Sequence, residues 1–211
     1  MASDYLHPPA PVVGIVIAGG RSVRFGGEKG VALLHGVPLL MWAVKRLQGS
    51  CMAVAVNARR GTEAEALALA EGLPVLNDVA GDAPGPLSGI KVGLIWAEEQ
   101  GAEALAVSPC DVPYVPNDLF TRLIRATGNG PAMAETSEGH QPLFAVWPVS
   151  ALYTVTEALK DGRHPATWML LQQLGCQRVR FDPPETFTNV NTRVDLAMLA
   201  NWEEVERARR R

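Results

Sequence analysis

Residues 12–30, VVGIVIAGGRSVRFGGEKG, gather the residue types that hold a polyphosphate. Ala18, Gly19 and Gly20 let the backbone turn with little side chain in the way, so its N–H groups can point at an anion. Arg21, Arg24 and Lys29 place three cations within a few residues of those amides, and Gly26 and Gly27 let the chain fold back over a bound group. The glycines do not follow the spacing G-x-G-x-x-G, and Lys29 is followed by Gly30 where the Walker pattern wants Ser or Thr, so neither common phosphate motif applies. The plain alternative is an ordinary glycine turn between a strand and a helix, with exposed arginines.

Such a loop needs rigid elements behind it. Residues 12–17 form a short apolar run rich in β-branched side chains, as a strand covered on both faces requires. A helix is expected within 31–48, with Pro38 near its start and Leu39, Trp42, Ala43 and Leu47 at helical spacing. Strands follow at 51–57, 73–78 and 104–116, alternating with helices at 62–71, 87–100 and 117–128; Thr62 and Glu65 make a capping box for the first of these. Four alternations of strand and helix predict an α/β fold with a mainly parallel twisted sheet and right-handed crossovers. Ligands of such sheets bind beyond the carboxyl ends of the strands, where Gly19, Asn57, Asp78 and Asp111 all stand. Asp111 has a second possible use, as a cap for the turn before Pro113. Strands at 131–136 and 141–148 predict some antiparallel pairing in the C-terminal half, followed by helices at 148–160 and 165–174, an edge strand at 176–182, and a terminal helix from near Thr192.

The 211 residues suit one domain over 12–211 behind a flexible lead at 1–11. A net charge of -3 gives no reason to expect general nucleic-acid binding, so any anion must be held by local cations. Cys51, Cys110 and Cys176 are far apart, odd in number and without a CxxC pair, which argues against a disulfide framework or zinc site and for a reducing cytoplasm. No apolar run approaches the ~18 residues of a membrane span, and the first residues lack a basic start and an apolar core, so neither membrane insertion nor secretion is expected.

IAGGRSVRFGGEKG, the strand-end Asn57, ND followed by PGPLSGI across 77–90, PCDVPYVP at 109–116 and NVNTRVDL at 189–196 stand in the order and spacing of the molybdenum cofactor guanylyltransferases. The chain resembles this family, the MobA family, over nearly its whole length. The resemblance implies a Rossmann-like nucleotidyltransferase fold of GT-A type that takes GTP, Mg2+ and molybdenum-molybdopterin and yields a guanine dinucleotide cofactor and pyrophosphate. It implies that Ile17, Ala18 and Gly19 contact the nucleotide, Lys29 a phosphate, Asn57 and Asp78 the guanosine, and Asp111 the magnesium ion. Arg24 and Lys29 would stabilise the leaving pyrophosphate. Asn189 and Asn191 would face molybdopterin, which makes 12–128 the nucleotide-binding half and 129–211 the molybdopterin-binding half. Arg163, beside His164, forms a short cationic loop able to meet the pterin phosphate. Proteins that deliver or receive the cofactor are expected partners on the same ground. Most family members have Met and Asp where Phe25 and Glu28 stand, and many have Pro at the position of Arg193. Alternatives on the same fold are transfer from CTP or to a sugar phosphate; a non-catalytic nucleotide-binding subunit is a third.

Overall fold

A computed structural model of the chain describes residues 11–20, 25–128, 130–182 and 184–209. Apart from Pro11, the expected N-terminal lead lies outside the described residues, as do Arg21 and Arg24. In chain order the strands are β1 (Val12–Ile17), β2 (Leu33–Leu34), β3 (Val37–Pro38), β4 (Val54–Asn57), β5 (Val75–Leu76), β6 (Ala104–Pro109), β7 (Ala132–Thr136), β8 (Gly139–Pro148) and β9 (Gln177–Arg180). The helices are α1 (Leu39–Gln48), α2 (Glu63–Ala70), α3 (Pro86–Glu99), α4 (Leu119–Ala126), α5 (Leu152–Ala158), α6 (Thr167–Gln173) and α7 (Arg193–Arg209).

Seven strands form one sheet in the order β5-β4-β1-β6-β8-β7-β9. β1 pairs in parallel with β4 and β6, while β8 runs antiparallel to both β6 and β7, and β9 closes the far edge parallel to β7. The alternation of side chains along β1 divides the core. Val12 and Val16 pack with Leu40, Val44 and Leu47 of α1, Ala68 of α2 and Phe120 of α4. Val13 and Ile15 point the other way, onto Leu87, Ile90 and Leu94 of α3 and Leu171 of α6. Helices therefore cover both faces, and β1 is shielded from water because its side chains are apolar on both sides. Gly93 of α3 brings that helix close to the sheet: a Cβ there would lie 2.8 Å from Leu105 Cδ2 and 2.9 Å from Ile15 Cδ1.

Several boundaries differ from expectation. Residues 33–38 form a β2–β3 hairpin, so the first helix starts only at Leu39. His35 and Gly36, at φ 52° and 78°, make the two-residue turn whose twist suits a hairpin. The helices expected over 148–160 and 165–174 shorten to α5 and α6, with single 3-10 turns flanking α5. Among the described residues no helix is long and apolar enough to cross a membrane.

Candidate functional site

β1, β4 and β6 end side by side. The Ala18 N–H donates to the Asn57 carbonyl at 2.9 Å, and the Cys110 N–H to the Ile17 carbonyl at 3.3 Å. The three parallel strands thus deliver Ala18, Asn57 and Cys110 to one edge, where a cleft of about 680 Å³ opens. Ile17, Ala18 and Gly19 form its floor, Lys29 and Asp111 one part of its wall, and Asn57 and Asp78 another.

Lys29 and Asp111, 82 positions apart in the chain, meet at 3.0 Å between Nζ and Oδ2. The same ammonium donates to Asn191 Oδ1 at 2.9 Å. Both members of the ion pair are mostly shielded, with side chains 14% and 24% exposed. Asn191 comes to this point because the Val190 N–H donates to the Asp111 carbonyl at 2.8 Å, and because Asp195 fixes the turn before α7. Asp195 Oδ2 accepts the N–H groups of Asn191 and Thr192 at 2.8 Å each, while Thr192 Oγ1 accepts the Asp195 N–H at 3.1 Å. This reciprocal cap holds the Asp195 carboxyl below its ordinary pKa, the Asn191 amide contributing most and the Thr192 amide next.

Asn57 and Asp78 form a second cluster. Asn57 is 3% exposed, and its Nδ2 donates to the Leu76 carbonyl at 3.0 Å and to Asp78 Oδ1 at 2.8 Å. Two acceptors fix the orientation of the amide, which turns Asn57 Oδ1 over Gly89 of α3. A Cβ at Gly89 would stand 2.4 Å from that oxygen, so the helix needs a glycine at this position for the asparagine to lie flat beneath it.

Two residues that depart from the family pattern meet one another. The Arg193 guanidinium carbon lies 5.6 Å from the centre of the Phe25 ring, within cation–π range, and Phe25 packs with Leu34, Leu39 and Val190. Glu28, the third departure, caps α2 from a distance: its carboxylate accepts the N–H groups of Glu63 at 3.1 Å and Ala64 at 2.9 Å. At α2 itself Thr62 accepts the Glu65 N–H, and Glu65 reaches back to the Gly61 N–H. The loop bearing Lys29 is thereby tied to a helix N-terminus, where a carboxylate is electrostatically favoured.

Two other expected site residues, Asn189 and Arg163, lie outside the cleft lining. Asn189 is exposed and does not line the cleft. Arg163 is exposed, and its guanidinium donates to the carbonyls of Lys160 and Glu157 at the end of α5. His140 sits 3.0 Å from Glu135 across the β7–β8 pair, outside the cleft lining. Cys110 does line the cleft, but burial pushes its thiol up to about 12, so it presents no thiolate at neutral pH. Arg59 also lines the cleft without being expected; its signal was a cation just past the end of β4.

Among the described residues no three His, Cys, Asp or Glu side chains gather as a metal cage. Asp111, paired with Lys29 on the cleft wall, offers a single partly exposed carboxylate there, with Asp78 on another part of the wall. That donor set fits Mg2+, which binds through one or two carboxylates, substrate phosphates and retained waters.

Known proteins resemble this chain in sequence and in fold. A family model described as the MobA-like NTP transferase domain matches residues 14–179. A molybdenum cofactor guanylyltransferase of Cupriavidus necator is 36% identical over 191 residues, covering 86% of this chain and 92% of that protein. Among solved structures, molybdopterin-guanine dinucleotide biosynthesis protein A from Archaeoglobus fulgidus superposes with a TM-score of 0.73 at 22% identity, over 91% of this chain and 98% of the other. A CMP:2-keto-3-deoxy-manno-octonic acid synthetase complexed with CTP gives the same TM-score at 12% identity, covering 93% and 100% of the two chains, so the fold itself spans enzymes of different base choice. By sequence match over most of its length, the chain belongs to the MobA-like NTP transferase family.

Proposed function

We propose that the chain transfers GMP from GTP to the terminal phosphate of molybdenum-molybdopterin, giving the guanine dinucleotide cofactor and pyrophosphate. The observation that carries this reading is the meeting of Lys29, Asp111 and Asn191 in one cleft, within a chain of the MobA-like family. A phosphate oxygen of molybdopterin attacks the α-phosphorus of GTP. A phosphoanhydride bond forms as the bond from that phosphorus to the bridging oxygen breaks, and pyrophosphate leaves with the electron pair. Two anions must approach each other, so the protein's task is to offset charge and hold the reactants in line.

In this reading Ile17, Ala18 and Gly19 carry the nucleotide, and Lys29 with Arg24 offsets charge on the departing pyrophosphate. Asp111 would hold Mg2+, which supplies Lewis-acid stabilisation of the phosphate oxygens when bound. The bond from Asn57 leaves Asp78 with an oxygen able to accept the N–H donors on the base-pairing edge of guanine, whereas cytosine offers one amino group there. Asn191, bonded to Lys29, stands where the two halves meet, with 12–128 serving the nucleotide and 129–211 the molybdopterin. Asn189 joins Asn191 on the pterin side, and Arg163 would have to release its two carbonyls to reach a pterin phosphate. A cytoplasmic setting agrees with three unpaired cysteines, and proteins that hand over or accept the cofactor complete the reading.

Pyrophosphate release measured with GTP, CTP, ATP and UTP, each with Mg2+ and molybdenum-molybdopterin, tests the assignment. GTP is expected to be strongly preferred. Preference for CTP would replace it with cytidylyl transfer, and tight GTP binding without turnover would make the chain a binding subunit.

A further inference from the structure

We propose that His164 is a positioning residue that holds one wall of the nucleotide cleft from the second half of the chain, serving as a neutral hydrogen-bond acceptor and not as a cation. The proposal deepens the guanylyltransferase reading and rests on it for its kinetic test. α3 starts at Pro86, and Gly85 before it has no side chain to satisfy the helix's first N–H groups. His164, from the loop between α5 and α6, supplies the missing acceptor: its Nε2 takes the Leu87 N–H at 3.2 Å. A ring nitrogen that accepts carries no proton, so the proton sits on Nδ1 and the imidazole is uncharged. A protonated ring would set a donor against that N–H, at the positive end of the helix dipole.

The contact also accounts for the glycine. A Cβ on Gly85 would stand 2.3 Å from His164 Nε2 and 2.5 Å from Cε1, so the ring lies where any other residue would put its side chain. Arg163 steadies the loop from the other side, its Nε donating to the Lys160 carbonyl at 3.0 Å and its Nη2 to the Glu157 carbonyl at 3.1 Å. Pro84, Gly85 and Pro86 line the same cleft as Asn57 and Asp78, so the imidazole sets where this wall stands relative to the pair that faces the base.

The test compares what each replacement can offer. His164→Asn and His164→Gln keep an acceptor, His164→Lys keeps a cation, and His164→Ala keeps neither. In pyrophosphate release with GTP, Mg2+ and molybdenum-molybdopterin, H164A is expected to raise KM for GTP about fivefold to tenfold with a smaller change in kcat, as loss of one hydrogen bond implies. At least one amide variant should recover most of that loss, and H164K should not. Recovery by lysine alone would overturn the proposal, because the position would then be a phosphate-binding cation; so would an unchanged KM in H164A. Should H164A fail to fold, the ring 15N shifts of His164 in the wild-type protein at neutral pH decide. An unprotonated Nε2 supports the contact, and a protonated one overturns it. That measurement needs no turnover, so a wild-type chain that ignores GTP would sink the guanylyltransferase reading while leaving the contact to be judged separately.

Discussion

Replacing Lys29 by Met would leave Asp111 and Asn191 facing each other with no cation between them. If Lys29 offsets phosphate charge as proposed, losing that donor typically costs about 100-fold to 1000-fold in rate. K29M is therefore expected to lower kcat/KM for GTP by that order, measured as pyrophosphate release. Asp195 makes a prediction of a different kind. Its folded pKa is depressed from the ordinary 3.8, so the stability it lends is fully present above that value and is lost as pH falls below it toward the folded pKa. Acid denaturation curves of wild type and D195N should accordingly differ most near neutral pH and converge at the acid end. That Asn57, Asp78 and Asp111 reach the cleft was legible because each is polar and stands at or just beyond the end of an apolar run, and that Lys29 does was legible from the glycines and cations around it. His164 and Glu28 were not, since the groups they serve lie 77 and 35 or 36 positions away and no local pattern announces them.

The loop that carries Lys29 borrows its rigidity from α2. Its link is the Glu28 carboxylate on the Glu63 and Ala64 N–H groups, so E28A removes a helix cap and slackens the loop together. Loss of a cap costs about 1 kcal/mol, which for a chain of this size lowers Tm by about 2–4 °C. Thermal unfolding should show that decrease, and kcat/KM should fall further than so small a loss of stability explains, because Lys29 loses its placement. Most elements could be read from periodicity: β1 is apolar on both faces, and α1 and α3 repeat at helical spacing. The β2–β3 hairpin could not, because its apolar residues run straight into those of α1 and the His35–Gly36 turn is not among the common hairpin pairs. The strand expected at 73–78 contracts to Val75–Leu76, since only two residue pairs reach β4.

At the scale of the molecule, a ligand that binds only the folded form must stabilise it. GTP with Mg2+ at about 100 times its Kd should add about 2.7 kcal/mol. The corresponding rise in Tm should shrink when EDTA is present, and shrink less in D111N, where the carboxylate that would hold the ion is gone. An equal rise with and without EDTA would remove Asp111 from any metal role. The parallel half of the sheet followed from alternating strands and helices, and antiparallel pairing was expected beyond it. What no local pattern could supply was the order β6-β8-β7-β9, in which the later hairpin is inserted in reverse and β9 joins outside it. That order depends on which distant edges are free to pair.

The Val190 N–H on the Asp111 carbonyl, and Asn191 on the Lys29 ammonium, have a temporal meaning as well as a spatial one. Ribosomes make the Lys29 and Asp111 segments first and the asparagine that joins them about 80 residues after the aspartate. A growing chain with its first strands already paired would thus still lack the clasp at the mouth of its site, and the grip on a nucleotide would mature only when that late segment doubles back.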